Sequence, residues 1–140
     1  MTNKIFSITL LLTMILSYSA NAQYSLEVVI ENLDNSGVLR LGIYNDPDNF
    51  LVREGLFEYC VADVEKNKVV CKWDSIPGGV YSLAYMNDLN GNEMMDTNFI
   101  GFPSEQYGFF PDPGFLLRVP RFEDCSFELK EDMQLTMTAK

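Results

Sequence analysis

The fold is decided by the stretch Val80-Tyr81-Ser82-Leu83-Ala84-Tyr85-Met86, whose residues alternate with a period of two. This period is typical of a β-strand, because successive side chains of a strand point to opposite faces of the sheet. The turn-forming residues Ile76-Pro77-Gly78-Gly79 come directly before it. The stretch therefore predicts a strand that begins after a turn.

The same period extends outward over most of the chain. It recurs in residues 25–33, 38–44, 56–64, 69–73, 125–129 and 133–137, which turn-forming clusters separate. In the first of these, Leu26, Val28 and Ile30 share one face. Residues 56–64 and 69–73 are expected to form a hairpin around a polar turn. About seven short strands in one domain, residues 23–140, predict an all-β protein, an antiparallel β-sandwich.

One segment, residues 97–123, breaks the pattern. It contains four prolines and three glycines, which disfavour both a helix and a central strand, and it is predicted as one long proline- and glycine-rich loop. Long loops in compact domains are often functional. Its aromatic residues form a candidate ligand surface, or alternatively lie over the sheet edge as a satellite core; the ligand surface would comprise Phe99, Phe102, Tyr107 and Phe109.

A polar loop follows the strand at 80–86. Its sequence is Asp88-Leu89-Asn90-Gly91-Asn92-Glu93-Met94-Met95-Asp96. Side-chain oxygens at loop positions one, three, five and nine match the spacing by which a short loop surrounds Ca²⁺, and position seven offers a backbone carbonyl. The predicted ligands are therefore Asp88, Asn90, Asn92, Met94 (through its carbonyl) and Asp96.

The loop is not an EF-hand, because Glu93 stands where an EF-hand has glycine and Phe99 stands where it has a bidentate glutamate. A calcium loop between β elements, completed by Asn98 or Glu105, remains open. The alternative is that Asn90-Gly91 is the turn of a β-hairpin and that the polar side chains bind no ion.

The first 22 residues have the features of a secretory signal peptide. Lys4 precedes a short apolar core, and Ala20-Asn21-Ala22 is a cleavage pattern. The apolar core is too short for a membrane anchor. Cleavage removes one basic residue and no acid, so the mature charge is one unit more negative than the −10 of the whole chain. We expect an exported protein, periplasmic or secreted, with no membrane span and no affinity for nucleic acid.

The chain has no histidine and three cysteines. The absence of histidine excludes Ser-His-Asp and Cys-His nucleophiles and histidine-ligated zinc. Export permits disulfides, and Cys60 and Cys71 flank the turn of the expected hairpin, where a bridge is geometrically possible. The alternative is that both are buried thiols. Cys125 is expected to be a small buried apolar residue.

Three segments resemble the bacterial family DUF2141. Residues 76–81 resemble an L-P-P-G-x-Y turn, residues 88–96 a D-x-N-x-N-G-x-x-D loop, and residues 101–109 the motif G-x-P-x-E-x-Y-G-F, which a P-x-F-E-D motif follows at residues 120–124. Glu93 departs from the family, which has glycine there. The turn also occurs in prealbumin-like sandwiches, so the expected sandwich is prealbumin-like or immunoglobulin-like. The resemblance implies a secreted β-sandwich and no known activity.

Together these features predict a non-enzymatic binding or structural module that Ca²⁺ stabilises. Its partner would be an extracytoplasmic protein or glycan. One alternative is a metal-independent carbohydrate- or protein-binding domain that uses the loop aromatics. The other is a hydrolase that uses a carboxylate pair such as Glu105 and Asp96.

Overall fold

The computed structural model describes residues 22–140. The predicted signal peptide lies, except for Ala22, outside the described residues. Residues 22–140 contain no α-helix, and eight strands account for the fold. The strands are β1 (Gln23–Glu31), β2 (Val38–Tyr44), β3 (Leu56–Asp63), β4 (Lys68–Pro77), β5 (Gly79–Asp88), β6 (Tyr107–Phe110), β7 (Ser126–Leu129) and β8 (Met133–Thr138). The all-β prediction is confirmed.

The strands form two sheets. One has the order β4-β1-β8, and the other has the order β3-β2-β5-β6, with β7 beside the first half of β5. All pairs are antiparallel except β1 with β8, which run parallel. The prediction of a purely antiparallel arrangement is therefore wrong at this pair. The chain returns from the second sheet to place its last strand beside its first, so both strands run in one direction.

The expected hairpin between residues 56–64 and 69–73 is also wrong, because β3 and β4 belong to different sheets. β3 pairs with β2, and β4 pairs with β1. Lys66 and Asn67 adopt left-handed backbone conformations in a tight turn that carries the chain from one sheet to the other. Cys60 and Cys71 nevertheless lie at disulfide distance, with their Cα atoms 6.1 Å apart. The disulfide therefore joins the two sheets.

The core lies between the sheets and follows the predicted alternation. Leu26, Val28 and Ile30 of β1 are buried. Alternate residues of β2 and β5 are buried too, namely Leu39, Leu41, Ile43, Tyr81, Leu83 and Tyr85. Burying one such side chain contributes about 1.5–3 kcal/mol before the entropic costs. The core therefore explains why a period of two dominates the sequence.

A smaller apolar layer covers the outer face of the five-stranded sheet. Phe50, in the segment after β2, contacts Tyr44, Phe109 and Phe122, with ring centroids 5.3, 6.5 and 5.9 Å apart. Cys125 is buried in this region as a free thiol, as predicted. The covering segments include three short 3-10 turns, Pro47–Asn49, Arg53–Gly55 and Phe122–Cys125.

The segment 97–123 is not one loop, because β6 lies inside it. β6 pairs with residues 83–86 of β5, and Gly108 lies opposite Tyr85. A Cβ atom on Gly108 would lie 2.6 Å from the ring of Tyr85, so the ring occupies the space that a side chain would need. Glycine disfavours a strand, yet Gly108 is required in β6 because the ring of Tyr85 leaves no space for a side chain. β6 therefore separates a loop at 89–106, which includes the start of the segment, from a loop at 111–121.

Candidate functional site

The polar loop begins at Asp88, the last residue of β5, whose side chain is fully buried. Its Oδ1 accepts a hydrogen bond from the N–H of Gly91 (2.7 Å), and its Oδ2 accepts one from the N–H of Glu93 (3.0 Å). Oδ2 also accepts a hydrogen bond from Nε of Arg40 on β2 at 2.8 Å. Both carboxylate oxygens of Asp88 therefore hold the loop backbone, at Gly91 and at Glu93.

Arg40 is a contact residue of the loop that the sequence did not reveal. Its guanidinium also contacts Glu93, with 3.4 Å between Nη2 and Oε1, and Arg53 contacts the other oxygen of Glu93 at 3.3 Å. Burial by itself would raise the pKa of Asp88. The hydrogen bonds from Arg40 and from the N–H groups of Glu93 and Gly91 outweigh it and hold that pKa below its ordinary value.

Glu93 stands at the position where the family motif has glycine. Its φ is 64°, the left-handed region in which glycine is favoured, and a non-glycine residue costs about 1 kcal/mol there. Its carboxylate lies between Arg40 and Arg53. These ion pairs offset part of the backbone cost, so the glutamate is accommodated and the turn is kept.

Of the remaining predicted ligands, Asn90 and Asn92 converge on Asp96. Nδ2 of Asn90 donates to one oxygen of Asp96 (2.6 Å), and Nδ2 of Asn92 donates to the other (2.9 Å). The amide oxygen of Asn90 accepts from the N–H of Asn92, and that of Asn92 accepts from the N–H of Met94. The loop thus curls on itself through its own hydrogen bonds, and Asp88 is bound separately by Arg40.

This arrangement directs hydrogen donors, not lone pairs, at Asp96. A calcium ion needs six to eight oxygen ligands, so both amides would have to turn before their oxygens could join Asp96. Among residues 22–140, no group of three or more His, Cys, Asp or Glu side chains is placed to hold a metal ion. Calcium binding therefore stays a prediction, and this hydrogen-bond pattern does not fit the ion without rearrangement.

Glu105 closes the loop. Its nearly buried carboxylate accepts hydrogen bonds from the N–H of Leu89 (2.8 Å) and the N–H of Asp96 (3.3 Å), which ties the start of the loop to its end. Next to it, the side chain of Gln106 bonds the backbone of Asn32 and Asp34 in the turn between β1 and β2. Both side chains have a structural role that strand alternation does not indicate.

A second turn, which we call the apolar turn, comprises residues 98–102. Oδ1 of Asn98 accepts hydrogen bonds from the N–H groups of Ile100 (3.1 Å) and Phe102 (3.0 Å). The backbone N–H of Asn98 donates to the carbonyl of Phe102 at 2.8 Å, and Gly101 has a φ of 85°. The turn is closed by its own hydrogen bonds, so its backbone does not need a partner to take this shape.

The apolar turn exposes large apolar side chains. Phe99 is 98% exposed, Ile100 61% and Phe102 64%. Of the other candidate aromatics, Tyr107 is exposed, and Phe109 is half-buried against Tyr107 and Phe50. The satellite-core interpretation therefore applies to Phe109 and not to the apolar turn.

A shallow cavity of about 220 Å³ lies beside Tyr107 and Phe109, between β6 and the end of the chain. Its charged side chains are paired. Lys140 contacts Asp112 at 2.7 Å, and Arg118 forms two hydrogen bonds to Asp124, at 2.5 and 3.0 Å. Arg118 and the N–H of Arg121 lower the pKa of Asp124 to about 2. The charged groups that line this cavity are therefore already bound by neighbouring side chains.

Comparison with known proteins identifies a family but no characterised relative. A family model described as an uncharacterized protein conserved in bacteria (DUF2141) matches residues 28–137. No curated protein and no solved structure matches the chain. In the part of the chain that the structure describes, no helix is long and apolar enough to span a membrane.

Proposed function

The chain belongs to the DUF2141 family of uncharacterized bacterial proteins, and we propose that it is an exported, non-enzymatic binding module that docks its apolar turn into a pocket of an extracytoplasmic protein. The observation that carries the proposal is the exposure of Phe99, Ile100 and Phe102 on a turn that its own hydrogen bonds hold closed. Exposed apolar clusters on soluble domains commonly mark interaction sites.

Preorganisation supports this role. A flexible loop loses conformational entropy when it binds, whereas a turn already closed by Asn98 loses little. The turn is in addition anchored to the sheet, because Glu105 joins both ends of the polar loop and Asp88 holds its base. In this proposal the polar loop is the support, and the apolar turn is the contact surface.

Charge indicates the chemistry of the partner. Residues 89–117 contain four acids and no lysine or arginine; the acids are Glu93, Asp96, Glu105 and Asp112. Complementary potentials accelerate association and exclude like-charged partners. The partner face is therefore a hydrophobic pocket with a basic rim. Because Phe99 is almost completely exposed and an aliphatic side chain, Ile100, is exposed beside it, a protein pocket suits the turn better than a glycan.

The carboxylates support a binding role over hydrolysis. In a glycosidase the two carboxyl groups face a substrate across a fixed gap. Here both oxygens of Glu105 accept backbone N–H groups, and both oxygens of Asp96 accept amide hydrogens. In the proposed role, Glu105 and Asp96 therefore hold the loop together through these hydrogen bonds. Export is supported by the sequence of residues 1–22 and by a disulfide, which is typical of oxidising compartments.

Site-specific photo-crosslinking in the native bacterium tests the proposal. The photoreactive p-benzoylphenylalanine replaces Phe99 in one strain and Val70, an exposed residue on the other sheet, in a control strain. We expect a discrete adduct from position 99, which mass spectrometry identifies as a protein with a basic surface, and none from position 70. Loss of the adduct when Phe102 is also changed to Ser would support the turn as the anchor. Adducts of equal yield at both positions, or none at 99, would reject it.

Calcium in the polar loop is a second candidate, because Asn90 and Asn92 already lie within hydrogen-bond distance of Asp96 and a turn of both amides would bring their oxygens toward it. Since Asp88 is paired with Arg40, we expect weak binding, with a dissociation constant of roughly 10⁻³ M. Thermal unfolding is measured after EDTA treatment and again with millimolar Ca²⁺, with Mg²⁺ as the control ion. A rise in Tm with Ca²⁺ that Asp96→Asn abolishes supports the site. An unchanged Tm would reject calcium binding by the polar loop.

A further inference from the structure

The outer edge of β3 carries no strand. β3 pairs with β2 on one side, and among the described residues nothing pairs with its other side, because it is the first strand of its sheet. Tyr59 is 65% exposed and Val61 49% exposed, on the sheet face opposite to the side chain of Cys60. Strand edges of this kind present free N–H and C=O groups that pair readily with another chain.

The other sheet edges are guarded by features that β3 lacks. β4 ends in Pro77 and exposes Lys68 and Lys72, both paired with glutamates of β1. β8 exposes only polar residues, and β6 and β7 have four residues each. Lysines, proline and short length are the devices that prevent edge pairing. The eight residues of β3 contain no lysine, arginine or proline.

We propose that β3 is a homodimer interface, where two copies of this chain pair their β3 strands antiparallel and form a continuous ten-stranded sheet. The residues of β3 are complementary to themselves. With the two-fold axis at Cys60, Tyr59 of each copy lies opposite Val61 of the other, an aromatic and β-branched pair that stabilises sheets. Glu58 then lies opposite Ala62. An axis at Glu58 would instead oppose two carboxylates.

Charge limits the strength of this dimer. Each copy has a large net negative charge, so two copies repel one another at long range. The interface is small, because only one short strand from each copy takes part. The dimer is therefore weak, and salt strengthens it by screening the repulsion. This interface is distinct from the apolar turn and does not depend on the proposed function.

Sedimentation equilibrium of the mature protein, at concentrations up to about 1 mM, tests the interface. Tyr59→Lys gives β3 an exposed lysine like those that disfavour edge pairing on β4. Val70→Lys is the matched control on the exposed face of β4. We expect a monomer–dimer equilibrium. Tyr59→Lys should raise its dissociation constant by at least roughly tenfold, and Val70→Lys should leave that constant unchanged. A monomer at every concentration, or equal effects of the two variants, overturns the proposal.

Cysteine crosslinking tests the register. Cys71→Ser frees Cys60 at the two-fold axis, and Cys60→Ser is the matched control, because both variants lose the intramolecular disulfide. Cys125 is buried and does not compete. Under mild oxidation we expect a covalent dimer from Cys71→Ser and none from Cys60→Ser. A dimer that persists in Tyr59→Lys, or that Phe99→Ser abolishes, contradicts pairing through β3. A covalent dimer whose yield is unchanged by an excess of a peptide of residues 56–63 would also contradict it.

Discussion

Arg40 on β2 holds the buried carboxylate of Asp88 at the end of β5, with 2.8 Å between Nε and Oδ2. Removing the arginine leaves a fully buried carboxylate with only backbone donors, which is more costly than the loss of an exposed ion pair. We expect Arg40→Ala to lower the free energy of unfolding by about 2–4 kcal/mol.

Arg53→Ala is the control for this prediction. Arg53 also contacts Glu93, but its side chain is 82% exposed. An exposed ion pair contributes about 0–1 kcal/mol, so the variant is expected to unfold in urea near the wild-type midpoint. Equal shifts in both variants would show that Arg40 acts on Glu93 and not on Asp88.

Acid unfolding reports the Asp88 carboxylate. Although burial raises its pKa, the donors around it lower the net value below the ordinary 3.8. A lowered pKa in the folded state means that the ionised group stabilises the fold above pH 3.8, and that this contribution is lost as the pH falls through the folded value. The difference in unfolding free energy between wild type and Asp88→Asn should therefore shrink as the pH falls below 3.8.

Asp63→Asn, at the exposed end of β3, controls for the loss of one negative charge in that experiment. Urea unfolding across the acid range measures both variants. If the Asp88→Asn difference stays constant with pH, the stabilisation comes from the shape of the side chain and not from its charge.

The strands could be predicted from the sequence because the period of two is a local property. The face formed by Leu26, Val28 and Ile30 is fully buried, as expected. Partners are not local. The turn at Glu65–Lys68 is compatible with a hairpin or with a crossing between sheets, and only the packing of the whole chain decides. The parallel neighbours β1 and β8 come from opposite ends of the described chain, so no neighbouring sequence indicates their pairing.

The same distinction holds at the candidate site. The closeness of Asn90, Asn92 and Asp96 follows from their spacing within nine residues, but the side chains meet through amide N–H groups and not through the convergent oxygens that a calcium loop requires. Arg40 lies 48 residues before Asp88, and its outward position on β2 looked like an ordinary exposed residue of a strand. Once an arginine neutralises the first predicted ligand, the match of spacing alone is a weaker indication of a metal.

The disulfide should contribute to stability because it closes a loop between two strands that belong to different sheets. Cys60 and Cys71 are 11 residues apart, and closing a loop of this size stabilises by about 2–3 kcal/mol in the chain-entropy model. Reduction, or Cys60→Ala with Cys71→Ala, should lower the urea midpoint accordingly. A reductant should have no effect on the double variant; if it does, Cys125 takes part in a bond that the structure does not contain.

Gly108 should be intolerant of a side chain because the ring of Tyr85 lies where its Cβ would be, with 2.6 Å to the nearest ring atom. Gly108→Ala forces either the ring or β6 to move, and we expect a loss of about 1–3 kcal/mol in the free energy of unfolding. Gly79→Ala is the matched control in a neighbouring strand, since a Cβ there meets the ring of Tyr81 at an ordinary 3.4 Å. Thermal unfolding compares the two variants. Because β6 follows the apolar turn closely in the chain, a shift of β6 should also weaken the photo-crosslink from position 99. A stable Gly108→Ala protein with full crosslinking would show that β6 is not held against Tyr85.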